Sequence, residues 1–163
     1  MNETQLEIER KWILRNLPSV KWQDKIYINQ FYMMYDGKPH RIRFSYENDI
    51  WEGHKRKLRS IELIHKEKIE NGTNLEHHKS CSLEEANELV KLATKRIGKV
   101  RHIYTEDVKY EIDVFLNISL IMMEAEVRSL EQELFIPERI MPEIITEVTG
   151  IPGFDNYNLS YTI

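Results

Sequence analysis

Cysteine is nearly absent from this chain. Cys81 is the only one in 163 residues, so no internal disulfide can form. With no matched histidine and acid in a recognisable pattern, it reads as a strand residue and not as a nucleophile. Long apolar runs are missing too. No stretch approaches the length that crosses a bilayer, and the N-terminus lacks the basic-then-apolar order of a signal peptide, so no membrane association and a cytoplasmic location are expected. No internal repeat, low-complexity tract or linker marks a second domain, and the length suits one domain, residues 1–163, with a substantial core. Nor is there an excess of positive charge. A net charge of −4 argues against broad non-specific nucleic-acid binding and leaves room for a local basic pocket. Asn71-Gly72-Thr73 matches a glycosylation sequon, but without a secretory signal it reads as a glycine turn.

What the chain has in quantity is charge, 31% of its residues, laid out in alternation with apolar positions. Strand-like segments run over Leu6 to Ile13, Ile26 to Tyr35, His40 to Tyr46, part of Lys57 to Ile69, and Asn74 to Cys81. Asp36-Gly37-Lys38-Pro39 predicts a hairpin, and Glu70-Asn71-Gly72 a second turn. Ser82-Leu83-Glu84-Glu85 has the form of a capped helix start, and Leu83, Ala86, Leu89, Val90 and Ala93 continue at helical spacing towards Gly98. Strands resume at Lys99 to Tyr104, Val108 to Phe115 and Leu120 to Val127, and a last helix is predicted from about Pro137 to Val148.

Side chains two apart on a strand share a face. Glu7, Glu9 and Lys11 therefore point one way, as do Arg41 with Arg43, Lys66 with Lys68, Glu76 with His78, Lys99 with Arg101, Glu111 with Asp113, and Glu124 with Glu126. One such strand is an ordinary half-exposed surface. The same parity on strand after strand is not what a purely structural protein needs. If the apolar faces pack outward and the sheet curls, the charges line the interior of an antiparallel β-barrel, a polar tunnel inside an α+β domain with helices packed outside. So many buried charges are costly unless water, metal ions or a polyanion enter. A metal-bound triphosphate suits them: Glu7, Glu9, Asp113, Glu124 and Glu126 offer carboxylate oxygen to Mg2+ or Mn2+, while Lys11, Arg41, Arg43, Lys66, Lys99 and Arg101 can meet phosphate oxygen.

These motifs resemble those of the CYTH domain, or triphosphate tunnel metalloenzyme, family. Glu7-Ile8-Glu9-Arg10-Lys11 is similar to its Glu-x-Glu-x-Lys mark, Gln30-Phe31-Tyr32 to its Gln-x-Tyr strand, and Arg41-Ile42-Arg43 to its Arg-x-Arg strand. Ile64-His65-Lys66 resembles the strand ending in a phosphate-binding lysine, and Lys99-Val100-Arg101 the Lys-x-Arg strand. Tyr110 to Phe115 resembles a Trp-x-Val-Asp-x-Phe strand, Glu124-Ala125-Glu126 the late Glu-x-Glu, and Glu147 to Gly150 with Asn156 to Ser160 the ending of bacterial members. Order and spacing agree over nearly the whole chain.

The resemblance implies an eight-stranded antiparallel tunnel and a divalent metal, Mg2+ or Mn2+. The implied activity is hydrolysis of a triphosphate, inorganic triphosphate by default, by a monomer or homodimer. Lys11, Glu9, Glu126 and Arg101 are the implied catalytic set. Lys11, Arg41, Arg43, Lys66, Glu76, Lys99 and Arg101 are implied to bind substrate, and Glu7, Glu9, Asp113, Glu124 and Glu126 to hold metal. Cyclisation of ATP is another implied activity. Two departures stand out. His78 replaces the second glutamate of a Glu-x-Glu pair, and the stretch Glu47 to Ser60 is an insert carrying Lys55, Arg56, Lys57 and Arg59 near Trp51. That cluster is either a solvated hairpin or a grip for RNA beside a 5′-triphosphate. The insert leaves Lys66 and Lys68 as competitors for the lumen.

Overall fold

The computed structural model describes residues 2–163. In chain order the elements are β1 (Asn2–Leu14), β2 (Asp24–Tyr35), β3 (Lys38–Glu52), β4 (Lys55–Glu70), β5 (Thr73–Ser80), α1 (Leu83–Val90), β6 (Lys95–Thr105), β7 (Lys109–Phe115), β8 (Ile121–Glu126), β9 (Ile144–Glu147), α2 (Asn156–Leu159) and β10 (Tyr161–Thr162). Strands β1 to β8 pair in the order β6-β2-β3-β4-β5-β1-β8-β7, and β7 returns to β6, so the sheet closes on itself as an eight-stranded antiparallel barrel. The short β9 and β10 lie outside this ring, on β1 and β6.

Closure depends on β1 changing partners. Its first half, residues 2 to 8, pairs with β5, and from Glu9 onward it pairs with β8 on the other side while β9 takes the vacated edge. The β2–β3 hairpin turns at Asp36 and Gly37, both with positive φ, 53° and 72°. That is the two-residue turn whose twist matches antiparallel strands, and a glycine there costs nothing.

The outer wall is apolar and covered in two places. Met33, Ile42, Phe44 and Ile61 pack under Ala86 of α1. This helix starts with the expected capping box, Ser82 Oγ accepting from the Glu85 amide and Glu85 accepting from the Ser82 amide. Trp12, Tyr110, Ile112 and Met123 pack under Ile140 with Leu134 and Ile136 of the connection after β8. One layer of apolar side chains points inward, at lumen parity: Tyr32, Ile97, Phe115 and Met122, against which Phe154 and Leu159 pack.

Two expectations differ from what forms. The last helix does not exist; residues 141–143 make a 3-10 turn and 144–147 the strand β9. Pro142 has no amide to donate, β-branched Ile144, Ile145 and Thr146 favour extended backbone, and β1 offers a free edge. Ile140 and Val148 are buried as helical spacing implied, but from a turn and an extended segment. The helix from Ser82 stops at Val90, because Lys95 onward is taken into β6 by pairing with β2. The insert Glu47 to Ser60 is the outer end of the long β3–β4 hairpin, with register breaks between Tyr46 and Trp51. Its arginines are engaged by the insert and by β2: Arg56 lies over the rings of Tyr27 and Trp51, at 4.3 and 4.7 Å, and Arg59 is held by Asp24 and Glu47. Among the described residues no helix is long and apolar enough to cross a membrane.

Candidate active site

Inside the barrel, beside the inward apolar layer, lies a polar cavity of about 140 Å³. β1 contributes Glu7, Glu9 and Lys11 to its wall; β3 contributes Arg41 and Arg43; β4 contributes Lys66 and β5 Glu76. Arg101 comes from β6, and Glu124 and Glu126 from β8. Ten of the sequence-predicted site residues thus border one space. Lys99 and Asp113 do not. They sit behind Arg101, fully buried, with Lys99 Nζ 2.7 Å from Asp113 Oδ2. Lys66 and not Lys68 reaches the cavity, since it pairs in register with Glu76, while Lys68 lies on a smaller hollow beside Gly72.

The cations are held differently. Lys66 Nζ stands 2.9 Å from Glu7 and 3.2 Å from Glu76, and Arg41 donates to the same Glu76 oxygen at 3.2 Å. Arg101 makes a two-pronged contact with Asp113, at 2.9 and 3.0 Å, and a third bond to Glu111 at 2.9 Å. Lys11 is 3.5 Å from Asp155 in the turn before α2. Arg43 is the exception: among the described residues it makes no carboxylate contact, and its Nε donates to the amide oxygen of buried Gln30 at 2.8 Å. Burial lowers the Arg43 guanidinium to about 10, helped by Arg41 and Arg101. Burial likewise lowers the Lys99 ammonium, to about 8, although Asp113 opposes it.

The carboxylates are crowded. Burial lifts Glu9 well above the usual carboxylate range, and Glu124 beside it, then Glu7, push further the same way. Burial would lift Glu124 as well, but the hydrogen bond from Glu9, with Lys11, Arg101 and Lys99 nearby, holds it well below. The two neighbouring carboxylates are thus pushed in opposite directions, as expected where like charges crowd a buried site. Glu124 Oε1 is buried with no hydrogen-bond partner. Among the described residues no three histidine, cysteine or acidic side chains already form a cage for a metal ion. The Glu9–Glu124 pair, with Glu7 next to it, is nonetheless an all-oxygen donor set with an unsatisfied atom, which fits a hard divalent cation.

Other participants were not singled out from sequence. Asn156 Oδ1 accepts from Lys99 Nζ at 3.0 Å and its side chain reaches the cavity from α2. It lies in a single helical turn where alternation carries no signal. Glu62 holds His78 from within the segment whose alignment the insert obscured.

No protein-family model matches the chain, and no curated protein matches it. Solved structures do. The inorganic triphosphatase NE1496 superposes with a TM-score of 0.60 at 20% identity, over 96% of this chain and 95% of its own. A second structure of NE1496, described as a hypothetical protein, gives 0.59 at 19%, over 94% and 96%. PH1819 from Pyrococcus horikoshii OT3 gives 0.56 at 19%, over 77% and 80%. Together with the closed ring of eight strands and its charged interior, these likenesses establish that the chain has the fold of the CYTH, or triphosphate tunnel metalloenzyme, family.

Proposed function

We propose that the protein hydrolyses a triphosphate with the help of a divalent metal, Mg2+ or Mn2+. The observation that carries this reading is the meeting, in one small cavity, of six lysine and arginine side chains, Lys11, Arg41, Arg43, Lys66, Arg101 and Lys109, with the crowded Glu7, Glu9 and Glu124 carboxylates. The cations suit a polyanion, and the carboxylates suit the metal that accompanies it.

Arg43, lacking a carboxylate, is the first landing point for a phosphate. Lys66 and Lys11 exchange their contacts with Glu7 and Asp155 for phosphate oxygen, while Arg41 keeps Glu76 and offers phosphate its unpartnered Nε, so binding replaces one set of ion pairs by another at low electrostatic cost. Arg101 adds charge beside the phosphoryl group and is aligned by Asp113, which serves as a counter-ion in this reading and not as a metal donor. Glu7, Glu9 and Glu124 would hold the metal, which when bound screens phosphate charge and polarises a P–O bond. Glu126, exposed at the cavity's edge and raised by burial and by Glu111, accepts the proton of the attacking water. The fold likeness to NE1496 makes inorganic triphosphate the first substrate to try.

The test is phosphate release from inorganic triphosphate by the purified protein with Mg2+ or Mn2+, beside Lys11→Ala and Glu9→Gln variants. Wild-type turnover well above both supports the reading; turnover equal to theirs overturns it.

A further inference from the structure

His78 is the residue at which this chain departs from the paired-glutamate pattern, and its surroundings are specific. Both ring nitrogens are engaged, Nδ1 with Glu62 Oε2 and Nε2 with Glu76 Oε1, each at 2.9 Å. An imidazole can donate at both nitrogens only when protonated. The ring is largely enclosed, its side chain 10% exposed, and it borders the cavity. It thus ties β4 to the neighbouring β5 along the lumen wall.

The strap leads directly to the proposed phosphate site. Glu76 gives one oxygen to His78 and the other to Arg41 and Lys66, each at 3.2 Å. Three cations thereby converge on a carboxylate that is only 3% exposed. Without the imidazolium, the Glu76 carboxylate would be free to turn about its side-chain torsions, and Arg41 and Lys66 would lose a fixed anchor. From neighbouring strands the other charged groups near the ring are Arg41 and Arg43 on β3, Lys66 on β4, and Glu3 on β1, which stands opposite His78 in register.

We propose that His78 is a positioning residue: held between Glu62 and Glu76, it fixes Glu76 so that Arg41 and Lys66 are spaced to receive phosphate, and losing its proton releases them. This rests on the polyphosphate reading above. The two carboxylates, Glu62 first, raise the imidazole to about 9, so the strap is intact at neutral pH and opens in mild alkali.

The experiment measures binding of inorganic tripolyphosphate by calorimetry without metal, and hydrolysis with Mn2+, from pH 7 to 10. His78→Ala should weaken binding and raise KM by about tenfold at pH 7.5 with kcat little changed. His78→Arg, a cation able to donate to both carboxylates, should restore affinity and remove the loss of binding near pH 9 that the wild type shows. Wild-type affinity in His78→Ala, or a pH dependence of binding in His78→Arg that matches that of the wild type, overturns the proposal. If the wild type binds no tripolyphosphate, the functional reading fails, and the strap is judged by NMR titration of the His78 ring. A raised midpoint that falls in Glu62→Gln sustains it, and an ordinary midpoint refutes it.

Discussion

Gln30 and Arg43 stand directly opposite each other on β2 and β3, and the buried amide oxygen of Gln30 takes the Nε proton of Arg43 at 2.8 Å. A neutral partner orients the guanidinium without cancelling its charge. Replacing Gln30 by Glu is nearly isosteric but supplies a competing anion. Gln30→Glu is expected to weaken tripolyphosphate binding by about tenfold or more, measured by calorimetry, while Gln30→Ala weakens it less by leaving Arg43 charged but loosely held.

Asp113 is fully buried and grips Lys99 and Arg101 at once. Removing its charge leaves the interior Lys99 without its anion and Arg101 with Glu111 alone, which is expected to cost about 3–5 kcal/mol of folding stability. Asp113→Asn should therefore lower the denaturation midpoint strongly. If Asp113 is a counter-ion and Glu124 a metal donor, Glu124→Gln should reduce Mn2+ affinity, read by calorimetry, far more than Asp113→Asn does.

Gly72 sits at φ 77°, and its carbonyl accepts the amide of Glu9 at 2.9 Å. A Cβ there would lie 2.9 Å from Leu130 Cδ2 and 3.2 Å from the Glu9 carbonyl oxygen. Gly72→Ala should cost about 1–2 kcal/mol from backbone conformation, with more from the clash, and displace Glu9. Thermal unfolding would show the first effect and Mn2+ titration the second.

His78 also gives stability a pH signature. Its value rises from 6.5 to about 9 in the folded chain, through Glu62 and then Glu76. The stability it contributes is whole below about pH 6.5 and is lost as pH climbs through about 9, some 1–3 kcal/mol in all. Urea unfolding of wild type and His78→Asn between pH 6 and 10 should give curves that converge at the alkaline end. A gap that stays constant with pH would count against this.

Alternation of charge and hydrophobe was enough to read which face of each strand carries the cavity wall, because on a strand parity alone decides whether Glu9, Arg43 or Glu124 shares the charged face, while closure into a ring came from the family resemblance. Parity says nothing of depth. Lys99 and Asp113 share the inward face with Arg101, yet they pair behind it, and only tertiary packing sets that order. The choice between Lys66 and Lys68 needed the register with Glu76, which the long hairpin obscured. The predicted C-terminal helix failed where helical spacing of Ile140, Ile144 and Val148 competed with Pro142 and with a free strand edge. Arg56 and Arg59 read as a basic cluster because sequence cannot display the Tyr27 and Trp51 rings or the Asp24 carboxylate that occupy them.

The switch of partners along β1 has a bearing on how the molecule comes into being. Residue 9 meets residue 126, and residue 11 meets residue 124, so the earliest-made strand must wait for the eighth. Such distant pairings are entropically slow to form. A growing polypeptide therefore has no competent pocket until β8 has followed β1 by more than a hundred residues, and Glu9 and Glu124 are brought together only when that seam is sewn.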